Sequence, residues 1–317
     1  MAYPIRVFEP GGVYFITNRC MQSRLLMRPS VEINRIIGGV LARAACIFPV
    51  ELFGFTFASN HFHLLARMIG DACLSDFVAY VEANIARRVG KVVGWSGRFW
   101  YRRFSAEPVL DDDALVGRLA YIASHGVKEG LIEKAMDWPG LTCLPEVSFG
   151  VVRDFDWCDE AGFHEAERRQ ESVRRADFIT RYPLKLAVLP CWRQLGDEQR
   201  QREVREIVRE AEERARVARG DKPAFGVENI LAQDPLTVPE HTKKSPRPLC
   251  HASTAEVRAA FRKTFRAIVD AYRKASTAFR KGLGVVEFPP HCFRPPLPWR
   301  WRLEGDGVVG AAASAAA

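Results

Sequence analysis

Long hydrophobic runs are missing from this chain. None of its 317 residues fall in an apolar stretch long enough to span a bilayer. Residues 1–12 contain no apolar signal-peptide region. Paired cysteines are missing too: the eight present are scattered and no two have C-x-x-C spacing. That argues against a disulfide framework or a zinc knuckle and for reduced thiols in a cytoplasmic protein. There is no Gly-rich phosphate loop, so nothing points to ATP-driven chemistry, and no internal repeat. Histidine is scarce, at seven residues. What is present is a 48% hydrophobic content, enough for a real core, and a net charge of +8 from 46 Lys+Arg against 38 Asp+Glu. A basic balance favours polyanionic partners through phosphate contacts.

The first 150 residues are expected to form one α/β unit. Residues 12–18 alternate and are β-rich, as a strand does. Ser30 caps a helix with Ile33, Ile36, Ile37, Val40, Leu41 and Ala44 inward. Strands at about 50–57 and 61–67, a helix over 74–92, a fourth strand within 97–110 and a helix from Asp111-Asp-Asp113 to Ser124 follow. The order β-α-β-β-α-β plus one helix implies an α+β, ferredoxin-like antiparallel sheet with helices on one side. Beyond it the reading divides the chain into a charged helical extension over 151–220, an irregular basic linker over 221–250, and 251–317, an amphipathic basic helix with a Pro-rich tail. Ser253 and Glu256 have capping-box spacing ahead of that last helix.

His61-Phe62-His63 is the segment richest in chemistry. On a strand, residues two apart share a face, so both imidazoles stand together and Phe62 turns into the core. Two histidines hold a divalent ion weakly without a third ligand. His125 is the candidate, because Arg118, Tyr121 and His125 fall at i, i+3 and i+7 on one helix stripe. Tyr121 then sits at the edge of the packed face. A phenol is a poor nucleophile at neutral pH unless a metal or cation stabilises its phenolate. Plain packing also accounts for a tyrosine beside an apolar stripe, and for a packed His-x-His. Tyr14, Tyr80 and Tyr101 compete for any nucleophile role. Arg98, Trp100, Arg102 and Arg103 interleave charge and aromatics as single-strand binders do, or as a hairpin with core aromatics and solvated arginines does.

Four ordered blocks carry a resemblance: Pro10-Gly-Gly-Val-Tyr-Phe-Ile-Thr-Asn-Arg19, Phe57-Ala-Ser-Asn-His-Phe-His-Leu-Leu65, Gly97-Arg-Phe-Trp-Tyr-Arg-Arg-Phe104, and Asp111-Asp-Asp113 followed by Tyr121-Ile-Ala-Ser-His-Gly-Val-Lys-Glu-Gly-Leu-Ile132. Over about 140 residues the chain resembles the REP-associated tyrosine transposases, part of the HUH group of single-strand DNA nucleases and transposases. The resemblance implies that His61 and His63 bind a divalent metal, magnesium or manganese, that Tyr121 is the nucleophile, and that position 125 completes the site. The family usually has Asn or Gln there, commonly followed by Pro; here the pair is His125-Gly126. It also implies single-stranded or hairpin DNA as substrate, bound with help from Arg98, Trp100, Arg102, Arg103 and Arg118, a 5′-phosphotyrosine intermediate, and a monomer or homodimer without membrane attachment. Two other readings remain: a non-catalytic hairpin-binding or domesticated regulatory protein on the same sheet, and a zinc hydrolase built on His61 and His63.

Overall fold

A computed structural model describes residues 5–70, 73–170, 172–240, 248–282 and 285–295. Lys243, Lys244 and Arg247, read as further phosphate contacts, lie outside the described residues, as does the chain beyond 295.

The strands β1 (Val13–Arg19), β2 (Val50–Phe57), β3 (His61–Met68) and β4 (Ser105–Val109) form one antiparallel sheet in the order β2-β3-β1-β4. With α1 (Val31–Ile47) after β1 and α2 (Leu74–Val92) after β3, the β-α-β-β-α-β order is the ferredoxin-like arrangement. The Ser30 hydroxyl accepts a 3.1 Å hydrogen bond from the Ile33 amide, so α1 starts where its cap dictates. Both faces of β3 are buried, because the sheet is covered on both sides. On one face Asn18 reaches from β1 to Glu82 of α2 at 2.7 Å. On the other lies α3 (Asp112–Ala123), whose Leu119 is so close to Gly54 of β2 that a Cβ there would stand 2.9 Å from its methyl. The expected one-sided helical layer is therefore two-sided: Leu115, Leu119 and Ile122 of α3 are buried apolar groups that need a sheet face of their own.

Asp111 caps α3 by accepting from the Ala114 amide at 2.8 Å. The helix stops at Ala123. Ser124 leaves helical geometry (φ −109°, ψ 14°), its hydroxyl turns back to the Ala120 carbonyl at 2.7 Å, and a separate short turn, α4 (His125–Lys128), follows. The single stripe expected through Arg118, Tyr121 and His125 is thus interrupted before its last member.

The stretch after 150 is not helical throughout. Ahead of and after α6 (Glu160–Arg168) run two strands, β5 (Arg153–Cys158) and β6 (Ile179–Leu184), paired as an antiparallel hairpin. This hairpin packs on α1. A Cβ on Gly38 would stand 2.2 Å from the Phe155 ring, and one on Gly39 2.4 Å from the Asp156 carbonyl oxygen, so both helical glycines make room for a strand. Trp157 is held between cations, with Arg88 3.8 Å and Arg43 4.7 Å from its ring centroid. Phe155 and Trp157, alternating with Asp154 and Asp156, explain why a strand wins over the local helical texture: the apolar face has a helix to cover. Further on, α5 (Leu144–Phe149), α7 (Asp197–Arg219) and α8 (Val227–Ala232) complete this part. Most of the cations of α7 are matched within the helix: Arg200, Arg209, Arg214 and Arg216 pair with Asp197, Glu206, Glu210 and Glu213.

Residues Pro10–Thr254 form one compact unit. The described parts of Met1–Glu9 and Ala255–Ala317 form a second. In the second, α9 (Ala255–Lys281) packs Tyr272 and Phe279 against Phe288, and the Tyr272 hydroxyl donates to the Phe293 carbonyl at 2.9 Å. Only Ala275 and Ser276 of α9 are buried.

Candidate functional site

The register of the sheet builds the site. Across the β1–β3 ladder, Arg19 faces His61, Thr17 faces His63 and Phe15 faces Leu65. Alternation then puts Phe15, Thr17, Arg19, His61 and His63 on the face that α3 covers. His125 comes onto the same face from α4. The three imidazoles form a near-equilateral cluster, each pair of ring centroids 4.9 Å apart. His61 Nε2 and His125 Nε2 are 2.9 Å apart. Tyr121 completes the group, with its ring 5.2 Å from His63 and 5.3 Å from His125. The helix break at Ser124 has not separated the phenol from the third imidazole; the turn brings His125 back onto the sheet.

Neighbours hold these rings in place. The Asn60 carboxamide donates to the Ser23 carbonyl at 3.0 Å, and its oxygen accepts from His61 Nδ1–H at 2.7 Å. That fixes the His61 tautomer and leaves Nε2 as a lone pair aimed into the cluster. Ser23 and Gln22 both have left-handed backbones (φ 58° and 55°), a local cost that keeps the carbonyl facing Asn60. Phe15 stacks on His63 at 5.0 Å, nearly parallel, and meets Tyr121 edge-on at 5.8 Å. Arg118 and Lys128 lie over the Tyr121 ring at 5.1 and 4.5 Å from its centroid. Asn60, Phe15 and Lys128 were not singled out from the sequence. Only for Asn60 was there a signal, its place directly before His61.

Burial sets the charge states. It pushes His61 and His63 well below the ordinary imidazole value, helped by neighbouring imidazoles and Arg19. It lowers His125 to about 4. All three rings are neutral at pH 7, the form that ligates a metal. Tyr121 is pushed up, by burial first and Glu129 second, against the opposing pull of Arg118 and Arg19. The phenol is therefore protonated in the resting site.

The cluster fits a metal ion. Both nitrogens of His63 and Nδ1 of His125 are buried without a hydrogen-bond partner, which is costly unless something else satisfies them. One ligand atom from each imidazole lies within 4.8 Å of the others. Bonds of about 2.0–2.1 Å to imidazole nitrogen put ligand atoms somewhat over 3 Å apart, so a small inward shift suffices. Three neutral imidazoles suit manganese or zinc better than magnesium.

The residues expected to bind DNA divide between two faces. Arg118 stands beside Tyr121. Arg98, Arg102 and Arg103 are exposed, in the segment before β4 that faces α2 on the far side of the sheet. Trp100 is a correction. It is 9% exposed, packs edge-on against Phe62 at 5.3 Å, and its indole N–H donates to the Glu82 carbonyl at 2.9 Å. An indole satisfied at both ends of its amphipathic ring is core, and it cannot stack a base without leaving that core.

The chain is 28% identical over 163 residues to a Haemophilus influenzae protein provisionally named a REP-associated tyrosine transposase, a match that covers 48% of this chain and 90% of that one. This chain resembles REP-associated tyrosine transposases. About half of it lies outside the match. No family model matches the sequence. Among solved structures, a REP-associated tyrosine transposase bound to a REP hairpin aligns with a TM-score of 0.41 and 17% identity, over 46% of this chain and 85% of that one. A provisionally named transposase from Deinococcus radiodurans aligns with a TM-score of 0.28 and 17% identity, over 38% and 95%. Among the described residues no helix is long and apolar enough to cross a membrane.

Proposed function

We propose that the Pro10–Thr254 unit is a metal-dependent, transposase-like DNA endonuclease and strand transferase that acts on single-stranded or hairpin DNA. The observation that carries this reading is the convergence of one phenol with three neutral imidazoles, Tyr121 lying 5.2 and 5.3 Å from two of them.

His61, His63 and His125 would hold a divalent ion, manganese or magnesium, with the nitrogen donor set favouring manganese. When bound, that ion supplies Lewis-acid polarisation of a non-bridging phosphate oxygen. The Tyr121 oxygen attacks phosphorus in line, the bond to the 3′ oxygen breaks, and the 3′ hydroxyl leaves carrying a proton. One phosphodiester becomes one phosphotyrosine diester, so the step needs no ATP and a DNA 3′ hydroxyl can reverse it onto a new end. Arg118 and Lys128, already over the phenol ring, balance the phosphate charge, and Arg118 opposes the burial that raises the phenol's pKa. Phe15 and Asn60 keep the rings from turning. All eight cysteines are free, in keeping with work in a reducing cytoplasm.

The deciding experiment incubates the protein with 5′- and 3′-labelled hairpin DNA and manganese, then runs a denaturing gel. A covalent adduct on the 5′-phosphate side that disappears in Tyr121→Phe, with hairpin binding retained, is expected. Binding without any adduct in the wild type would favour the non-catalytic regulator, for which the unusual His125-Gly126 pair is the motivating feature. Cleavage that survives Tyr121→Phe would favour a zinc hydrolase.

A further inference from the structure

The imidazole cluster uses one face of the sheet. The other face carries a cleft of about 700 Å³ between α2 and the segment 95–103. Its walls hold Arg87, Arg98, Arg102 and Arg103 beside Trp95, Phe99 and Trp100, and among the described residues no carboxylate lines it. The contrast with the rest of the chain is one of charge compensation. Arg168 of α6, Arg169 just after it and most of the arginines of α7 are tied to acids three or four residues away. The charge there is largely spent within each helix. In the cleft, Arg87 donates to the Asn84 carboxamide oxygen at 2.7 Å, and among the described residues no acid pairs with Arg98 or Arg102. The like charges of Arg98 and Arg102, which share this cleft, repel each other, and a polyanion relieves them. Trp95 is half-buried, with Arg24 over its ring at 5.1 Å from the centroid and its N–H on the Arg98 carbonyl at 3.3 Å. It is a fixed aromatic platform beside the cations, unlike Trp100.

The position of the cleft links it to the cluster. Consecutive residues at the end of β1 face the two sites. Arg19 lies opposite His61, while the Asn18 carboxamide donates to Glu82 of α2 and to the Arg102 carbonyl at 2.8 Å. The two sites are back to back across the end of one strand.

We propose that this cleft is a second nucleic-acid site, which takes an unpaired single-stranded DNA segment, with phosphates on Arg87, Arg98 and Arg102 and a base against Trp95. A strand leaving the cluster past Arg19 would turn round the end of β1 to reach it. Unpaired DNA fits better than a duplex, because the aromatic lining offers stacking that only an unstacked base can use. The choice of DNA rests on the function proposed above; the cleft's charge does not.

The test uses the full-length chain in the Tyr121→Phe background with chelator present, so binding is read without chemistry. A fluorescent dT12 oligonucleotide is titrated at several salt concentrations, and a 5-bromodeoxyuridine version is photocrosslinked and the adduct mapped by mass spectrometry. Expected are a crosslink to Trp95, a loss of affinity of at least tenfold in Arg98→Ala/Arg102→Ala, and a salt slope shallower by about 1.4, at about 0.7 per lost single-strand phosphate contact. Arg209→Ala, which removes a cation already paired in α7, should leave binding unchanged. Unchanged affinity and slope in the double variant, or crosslinks only outside 95–103, would overturn the proposal. So would displacement of dT12 by inorganic phosphate at equal phosphate concentration, the mark of a simple anion site. Both arginines are exposed, and unaltered circular dichroism separates these outcomes from misfolding. Absence of a covalent adduct with hairpin DNA, in contrast, would count against the nuclease and leave the cleft standing.

Discussion

Lowering the pH should destabilise the metal-free protein through its imidazole cluster, by an amount the structure bounds. Burial lowers His125 from 6.5 to about 4, and His61 and His63 well below their ordinary value. Between the folded and unfolded pKa values the unfolded chain binds more protons than the native one, so stability rises with pH there. The contribution is fully present above about pH 6.5, is lost as pH falls, and for His125 levels off below about pH 4. A shift from 6.5 to about 4, at about 1.4 kcal/mol per unit, makes the full His125 share about 3.5 kcal/mol, of which about 3 is lost by pH 4. Titrating carboxylates also erode stability in acid, so the wild type alone decides nothing. Urea unfolding followed by tryptophan fluorescence, with chelator, should be run from pH 7.5 to 4 on wild type and His125→Asn. The variant is expected to lose less stability over that range, by roughly 3 kcal/mol, with the dependence on urea unchanged. Equal losses would show that His125 is not held neutral in a buried cluster, and the proposed metal site would lose its physical basis.

Other expectations follow from the same contacts. Manganese should raise the melting temperature of the wild type at pH 7.5 and leave that of His63→Ala where it was; binding at pH 7 should release few protons, measured by calorimetry in buffers of different ionisation enthalpy, since the imidazoles are already neutral. Asn60→Ala unties the His61 ring and should weaken manganese affinity by about 10–100-fold, read by electron paramagnetic resonance titration, with little change in fold. Gly38→Ala drives a methyl into the Phe155 ring and should cost about 1–3 kcal/mol by urea unfolding. An unchanged midpoint would mean the β5–β6 hairpin does not rest on α1.

The strand carrying His61 and His63 could be read directly, because a period of two leaves no choice about which residues share a face. The cap at Ser30 and the acidic start of α3 were equally local, and so was the element order that defines the sheet. Local pattern failed where a partner distant in sequence decided the outcome. Residues 153–184 look charged and helical until the glycine pair of α1 offers Phe155 and Trp157 a surface to cover. Trp100 looks like a base-stacking platform until Phe62 and the Glu82 carbonyl claim it.

By itself the sequence determined the order of strands and helices along the chain and the pairing of two imidazoles on one face, because hydrophobic alternation and capping act over a few residues. Only the tertiary structure decided that Tyr121, 58 positions beyond His63, lands 5.2 Å from its ring, that a broken helix still delivers His125, and that the basic segment faces the opposite side of the sheet. Those outcomes depend on how α3 buries its apolar stripe against the sheet, a long-range packing choice that no short window of residues contains.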